Sequence, residues 1–139
     1  SYEVPLGKAL VRRQGKDLTI VAISRMVHEA ISAADKLAEL GLDVEVIDAR
    51  SISPFDTETV VSSIKKTHRA LIVHEAVKFG GFGGEITAQI QEEAFDYLDA
   101  PIMRVGAPFC PVPFSPALEQ IYMPSADSIV TKVRETLEL

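Results

Sequence analysis

The sequence predicts an α/β domain, a mostly parallel sheet covered by helices on both faces. Short β-rich runs alternate with amphipathic helical stretches, the order expected of βαβ units. The run Leu18 to Ile23 (LTIVAI) is apolar almost throughout, as in a central strand buried on both sides.

Taken in order, Ala9 to Arg12 reads as a first strand. The polar turn Gln14-Gly15-Lys16-Asp17 then leads into the strand Leu18 to Ile23, and the short connection suggests a local hairpin between the two. Ser24 is the expected helix cap, because its hydroxyl can accept from the orphan amides of a first turn. Val27, Ala30, Ile31, Ala34, Leu37 and Ala38 recur at helical spacing and form the expected buried stripe. Gly41 ends that helix, since glycine tolerates a left-handed backbone just past a helix end.

Val44 to Asp48 (VEVID) is the next strand. Asp56, after the break Ser53-Pro54-Phe55, caps a second helix with Val60, Val61 and Ile64 on its apolar face, ending near Lys65-Lys66. Arg69 to His74 (RALIVH) is a fourth strand. The glycine-rich stretch Phe79 to Gly84 leads into a third helix with Ile86, Ile90 and Ala94 on one face. Pro101 precedes a fifth strand, Ile102 to Val105. Gly106 to Pro116 (GAPFCPVPFSP) carries too many prolines for regular structure, and reads as an ordered loop or a docking surface. Ser125 caps a last helix buried through Ala126, Ile129, Val130, Val133 and Leu137. There is no internal repeat and no sign of a second domain.

The composition narrows the function. At 139 residues with 47% hydrophobic and 24% charged residues, the chain suits one globular core. A net charge of −6 disfavours a nucleic-acid partner, whose phosphates reward clustered cations, and suits a basic protein instead. The single cysteine, Cys110, cannot form an internal disulfide, which fits a reducing cytoplasm or organelle matrix. No apolar run is long enough for a membrane span, so no membrane partner is expected. The opening Tyr2 to Gly7 (YEVPLG) reads as a linker into a domain, and the sequence as part of something longer.

The motifs are modest taken singly. Gly80-Gly81-Phe82-Gly83-Gly84-Glu85 stands between a strand and a helix, where backbone amides can cradle phosphate. It fits neither nucleotide fingerprint, since Ile86 falls at the third glycine of G-x-G-x-x-G and no G-K-[ST] follows. A tight connection or close subunit contact is the favoured reading. His74-Glu75 ends a central strand, where open α/β sheets place ligands, yet no nucleophile or third partner accompanies it. Metal-ligand spacings are absent. His28 and His68 read as solvated. Cys110, flanked by Pro108, Pro111 and Pro113, has no neighbouring base to activate it. Phe109, Phe114 and Tyr122 among prolines suit either rigid interface contacts or packing over the sheet.

Together these residues resemble the beta subunits of the E1 component of pyruvate, branched-chain 2-oxo acid and acetoin dehydrogenases. The resemblance spans nearly the whole chain. It rests on VPLGKA (Val4 to Ala9), DARSISP (Asp48 to Pro54), His74-Glu75-Ala76 with Gly80 to Ile86, Asp99-Ala100-Pro101, and PVPFSPALEQIY (Pro111 to Tyr122) with Met123-Pro124.

The resemblance implies a transketolase carboxy-terminal fold: three layers, α/β/α, on a five-stranded sheet of order 1-3-2-4-5 with the first strand antiparallel. That order is at odds with the local hairpin. It also implies that residues 1–8 are a linker from an amino-terminal thiamine-pyrimidine domain, with 9–139 the carboxy-terminal domain. Thiamine diphosphate and magnesium would serve the intact enzyme, which decarboxylates a 2-oxo acid, most simply pyruvate, and passes the acyl group to lipoamide. No catalytic, cofactor or metal ligand carries over to this chain, which alone is expected to be inactive.

What carries over is assembly. The implied partners are the E1 alpha subunit, a second beta subunit and the basic subunit-binding domain of the acyltransferase, in cytoplasm or mitochondrial matrix. The candidate subunit interface comprises His74, Glu75, Phe79, Gly80, Gly81, Phe82, Gly83, Gly84, Phe109, Pro111 and Phe114. The candidate acyltransferase dock comprises Asp99, Glu135, Glu138 and Leu139. Many relatives carry a Gly-x-Asp-Thr-Pro-like stretch where this chain has Ala107-Pro108-Phe109-Cys110-Pro111, without the acid. Two other readings stay open: a free-standing small-ligand or phosphate-binding α/β module, and a carboxy-terminal domain of another transketolase-superfamily enzyme, such as a deoxyxylulose phosphate synthase or a ferredoxin oxidoreductase subunit.

Overall fold

A computed structural model describes residues 3–139, so the first two positions of the expected linker lie outside the described residues. The elements run β1 (Leu10–Arg13), β2 (Leu18–Ala22), α1 (Met26–Glu39), β3 (Val44–Asp48), α2 (Thr57–Thr67) and β4 (Ala70–Val77). They continue with α3 (Gly83–Ala94), a 3₁₀ turn (Phe95–Tyr97), β5 (Met103–Ala107), α4 (Pro116–Tyr122) and α5 (Ala126–Thr136). The strands form one sheet of order β1-β3-β2-β4-β5, with β1 antiparallel to β3 and every other pairing parallel.

The local hairpin is therefore wrong, and the turn itself shows why. The N–H groups of Lys16 and Asp17 both donate to the Asp43 carbonyl at 2.9 Å, and the Asp17 carboxylate accepts from Asp43 N–H at 2.7 Å. Gly15 lies directly on the backbone of Val44 and Glu45, with no room for a side chain. These contacts seat the turn on the start of β3, so β3 comes between β1 and β2.

Side chains alternate across the strands and divide the core in two. Leu18, Ile20, Val44, Val46, Leu71 and Val73 face α1 and α5, whereas Val21, Ile47 and Ile72 face α2 and α3. The result is the three-layer α/β/α arrangement. On α1 the buried stripe is Met26, Val27, Ala30, Ala33, Ala34 and Leu37. Ala38, expected inside, is exposed, and Ile31 is half-buried. The stripe drifts around the helix because 3.6 residues per turn do not keep a fixed 3–4 pattern for four turns.

Three expected helix starts meet different fates. Ser24 does not cap α1: it takes a left-handed backbone (φ 56°) in the sharp turn out of β2, and Arg25 occupies the cap position without a side-chain bond. Asp56 does cap α2, accepting from Thr59 N–H at 3.2 Å and from the Thr59 hydroxyl at 2.8 Å. It also accepts from Ala9 N–H at 2.9 Å, which fastens the segment before β1. Ser125 caps α5 in a reciprocal pair with Ser128. His68, read as solvated, is half-buried and ends α2 in a left-handed conformation, its Nδ1 2.8 Å from the Tyr97 carbonyl.

One polar seam crosses the α2 face. The Thr19 hydroxyl meets those of Ser63 and Thr67 at 2.6 Å each. Glu45, 1% exposed, accepts from the Ser63 hydroxyl, the Lys66 ammonium and Gly15 N–H. Every buried group in the seam is paired, the condition for tolerating polar atoms in a core.

Candidate interface site

Both loops singled out in the sequence emerge at the carboxyl ends of β4 and β5. The β4 strand runs on past His74 to Val77, and after a register irregularity between Val73 and Val77 it pairs with β5 again at Ala107. His74 lies within the irregularity and is buried, whereas Phe79, two residues past the strand, is exposed. Phe79 is 72% and Phe109 75% exposed, and their rings meet with centroids 4.9 Å apart at 54°. Phe114 is fully exposed, and Val112, Leu118 and Ile121 extend the apolar surface beside it.

The helix α4 is part of this surface and was missed in the sequence: the stretch expected to be irregular, Gly106 to Pro116, ends where α4 begins, and its first two residues belong to β5. The available signal was Ser115 followed by Pro116, since a cap residue and a proline at the first helical position favour a start. Between α4 and the loop, Pro108, Cys110, Pro113, Leu118, Ile121 and Tyr122 line a cavity of about 260 Å³. On the other side of Phe109 a shallow cavity of about 530 Å³ is rimmed by Lys78, Arg104 and Gly106. Lys78 and Arg104 were not singled out in the sequence, because nothing in their spacing brings them together.

The remaining candidates of this group divide by burial. Gly80 has a positive φ of 68° and open space around it, so it serves the turn itself. Phe82 precedes α3 and packs edge-on against Phe55, centroids 6.4 Å apart at 71°. Gly81, Gly83 and Gly106 close around the His74 ring, while Gly84 lies beside Arg104. Glu75 is half-buried and Pro111 exposed. Thus the apolar outer face is made by Phe79, Phe109, Pro111 and Phe114, and the glycines form its inner support.

The acidic candidates lie at the opposite end of the sheet. Asp99 precedes β5, its N–H donating to the His68 carbonyl at 2.9 Å. Glu135, Glu138 and Leu139 follow the run of α5 back towards the amino-terminal ends of the strands, where Leu137 and Leu37 belong to the same apolar cluster. Glu135 pairs with Lys132, Glu138 has a positive φ of 57°, and Leu139 is 65% exposed.

The site offers little purchase for a cofactor. At the amino terminus of α3, the place where a diphosphate would be cradled, the His74 ring fills the space beneath Gly81 and Gly83, and Glu85 stands in the first turn. Thiamine diphosphate does not fit there. Among the described residues no group of three or more His, Cys, Asp or Glu side chains is placed to hold a metal.

Residues 7–129 match the family model of the transketolase C-terminal domain. The chain belongs to that family. As a transketolase C-terminal domain it is 44% identical over 98% of its length to the beta subunit of acetoin:2,6-dichlorophenolindophenol oxidoreductase of Bacillus subtilis, covering 40% of that protein. It is 42% identical over 99% of its length to the pyruvate dehydrogenase E1 component subunit beta of the same organism, covering 42%. Among solved structures, a split-gene transketolase described as an inactive beta4 tetramer superposes with a TM-score of 0.82 at 32% identity, over 96% of this chain and 42% of that one. The chain thus spans about two-fifths of the length of the relatives it matches. The β1-antiparallel sheet and its strand order are those of a transketolase C-terminal domain, as the resemblance implied. No helix among the described residues is long and apolar enough to cross a membrane.

Proposed function

We propose that this transketolase C-terminal domain is the carboxy-terminal part of the beta subunit of a thiamine diphosphate-dependent 2-oxo acid dehydrogenase, and that its task is assembly. In the intact protein the reaction is oxidative decarboxylation of a 2-oxo acid, pyruvate being the simplest choice, with acyl transfer to lipoamide. Thiamine diphosphate and magnesium are held by other domains, reached through the segment before β1. The compartment is the cytoplasm or, in a eukaryote, the mitochondrial matrix.

The observation that carries the reading is the apolar face built from Phe79, Phe109, Val112, Phe114, Leu118 and Ile121, all more than half exposed. Isolated exposed apolar residues are ordinary, but a contiguous aromatic and proline face marks a surface that another protein covers. A second beta subunit and the E1 alpha subunit are the proposed covers. The rigid prolines lower the entropy lost on association. At the far end of the sheet, Asp99, Glu135, Glu138 and Leu139 form the proposed dock for the basic subunit-binding domain of the acyltransferase, where opposite charge speeds encounter and sets orientation.

The test is sedimentation of the beta polypeptide containing this domain, co-expressed with its alpha partner, before and after Phe79→Ser with Phe109→Ser. A heterotetramer that falls apart to smaller species supports the reading. An assembly of unchanged mass and affinity refutes it.

A further inference from the structure

Among the described residues, one buried side-chain polar atom lacks a hydrogen-bond partner: Nε2 of His74. The side chain lies at the end of β4 and the residue is 3% exposed. Its other ring nitrogen, Nδ1, is 3.0 Å from the Ala76 carbonyl. A carbonyl oxygen can only accept, so Nδ1 carries the proton, and in the neutral ring Nε2 presents a bare lone pair.

The surroundings match that tautomer. Nε2 abuts Gly83, the first residue of α3, where a methyl group would overlap the ring. A helix amino terminus carries partial positive charge and favours a lone pair over an N–H there. A Cβ on Gly106 would come within 2.9 Å of Cε1, and one on Gly81 within 3.0 Å. Three glycines from β5, the connecting segment and α3 therefore seal the ring, and no space remains for a water to receive a second N–H.

We infer that His74 is a proton-operated latch on the glycine-rich segment 78–84: the neutral ring holds the segment against β5 and α3, and the doubly protonated ring releases it. A proton on Nε2 adds a donor and a charge with no acceptor in reach. The cost is relieved if the segment lifts, because its glycines are what exclude water.

The charged neighbours do not supply the missing acceptor. Burial is the largest cause of a His74 pKa held below the usual histidine range; the Ala76 bond pulls the other way, and the charge of Arg104 on β5 again opposes a cationic ring. Lys78, in the segment itself, adds positive charge. Glu75 on β4 and Glu85 on α3 make no hydrogen bond to the ring, and at the end of β3 Asp48 and Arg50 pair with each other at 3.9 Å. The latch rests on the geometry of this chain alone. Its effect on association rests also on the proposed function, because the segment carries Phe79.

The experiment is a pH titration of the isotope-labelled chain from about pH 8 to about pH 4.5, following the ring nitrogens by NMR and amide exchange in the segment. The expected ring is the Nδ1–H tautomer, titrating below the ordinary histidine range. Exchange at Gly80 to Gly84, corrected for its intrinsic pH dependence, should rise about tenfold per pH unit below about 6.5, until the folded ring itself titrates. His74→Asn keeps a donor near the Nδ1 position and cannot titrate, so its exchange should be flat. An Nε2–H tautomer, or segment exchange in the unaltered chain that stays flat through the His74 transition, overturns the latch. A wild-type chain that shows the transition yet assembles equally at both pH extremes leaves the latch intact and removes its link to assembly.

Discussion

Phe79 and Phe109 touch across two separate loops, their ring centroids 4.9 Å apart, although each remains about three-quarters exposed. Such a pair buries too little of itself to be explained by the fold of this chain, and its offset, tilted geometry is that of aromatic contacts in general. Replacing both by serine should leave thermal stability almost unchanged, within about 0.5 kcal/mol, as for surface positions away from caps and cores. Association with neighbouring subunits should weaken by tenfold or more, about 1.4 kcal/mol. Paired melting and sedimentation experiments separate the two effects.

Asp56 links the segment before β1 to the start of α2, and Asp56→Ala should cost about 2 kcal/mol, a lost cap together with an orphaned Ala9 N–H. Its carboxyl stays below the ordinary range: burial alone would raise it, but the bonds from Ala9 and Thr59 and the charge of Lys8 outweigh that. A lowered carboxyl pKa stabilises the fold above the unfolded value, 3.8, and that contribution is lost as pH falls through the folded value. Denaturant unfolding at neutral and at acid pH should therefore show the wild type converging on Asp56→Ala in acid. A gap that persists there would locate the effect elsewhere.

Lys66→Met leaves the Glu45 carboxylate buried with Ser63 and Gly15 as its remaining partners. Losing one partner of a buried pair costs about 3–5 kcal/mol, and the half-exposed Lys66 side chain lowers the expectation to about 1–3 kcal/mol. Adding Glu45→Gln should recover part of it, because a neutral amide needs no counter-charge. Denaturant midpoints of the single and double variants measure that coupling.

Gly83→Ala should destabilise by about 1–3 kcal/mol, since the new methyl overlaps the His74 ring. Combining it with His74→Ala removes the overlap, so the two costs should add to less than their sum. Strict additivity in that double-mutant cycle would mean the ring is not where the glycine meets it.

Charge reversal at Glu135 and Glu138 should slow association with a basic subunit-binding domain most at low salt, and the difference should shrink as salt screens it. Stopped-flow association rates across an ionic-strength series give the reading. Equal rates would remove this end of the sheet as the dock.

Much of the fold was legible because its signals are local. The apolar run of β2, the Asp56 cap and the Gly41 helix end each act through neighbouring residues. The strand order was not local: it depends on Lys16 and Asp17 reaching Asp43, a contact that no periodicity contains, and only family resemblance pointed to it. The candidate site was legible as composition, aromatics among prolines and a run of glycines. Its division into an exposed face and a sealed histidine was not, because Gly106 reaches His74 from a different strand. The burial of Glu45 was not legible either, because its partners Ser63 and Lys66 come from α2.

The edge strand β5 is five residues long and stands between Pro101 and Pro108, with Ile102 alone intervening on the first side. Proline has no amide hydrogen to offer a neighbouring backbone, so a visiting strand finds a ladder of a few rungs with a stop at each end. At this edge a second copy is thus steered away from joining sheet to sheet, a mode that has no natural terminus and grows into fibres. Contact at this edge is left to side chains, where the symmetry of the interface decides whether an assembly closes.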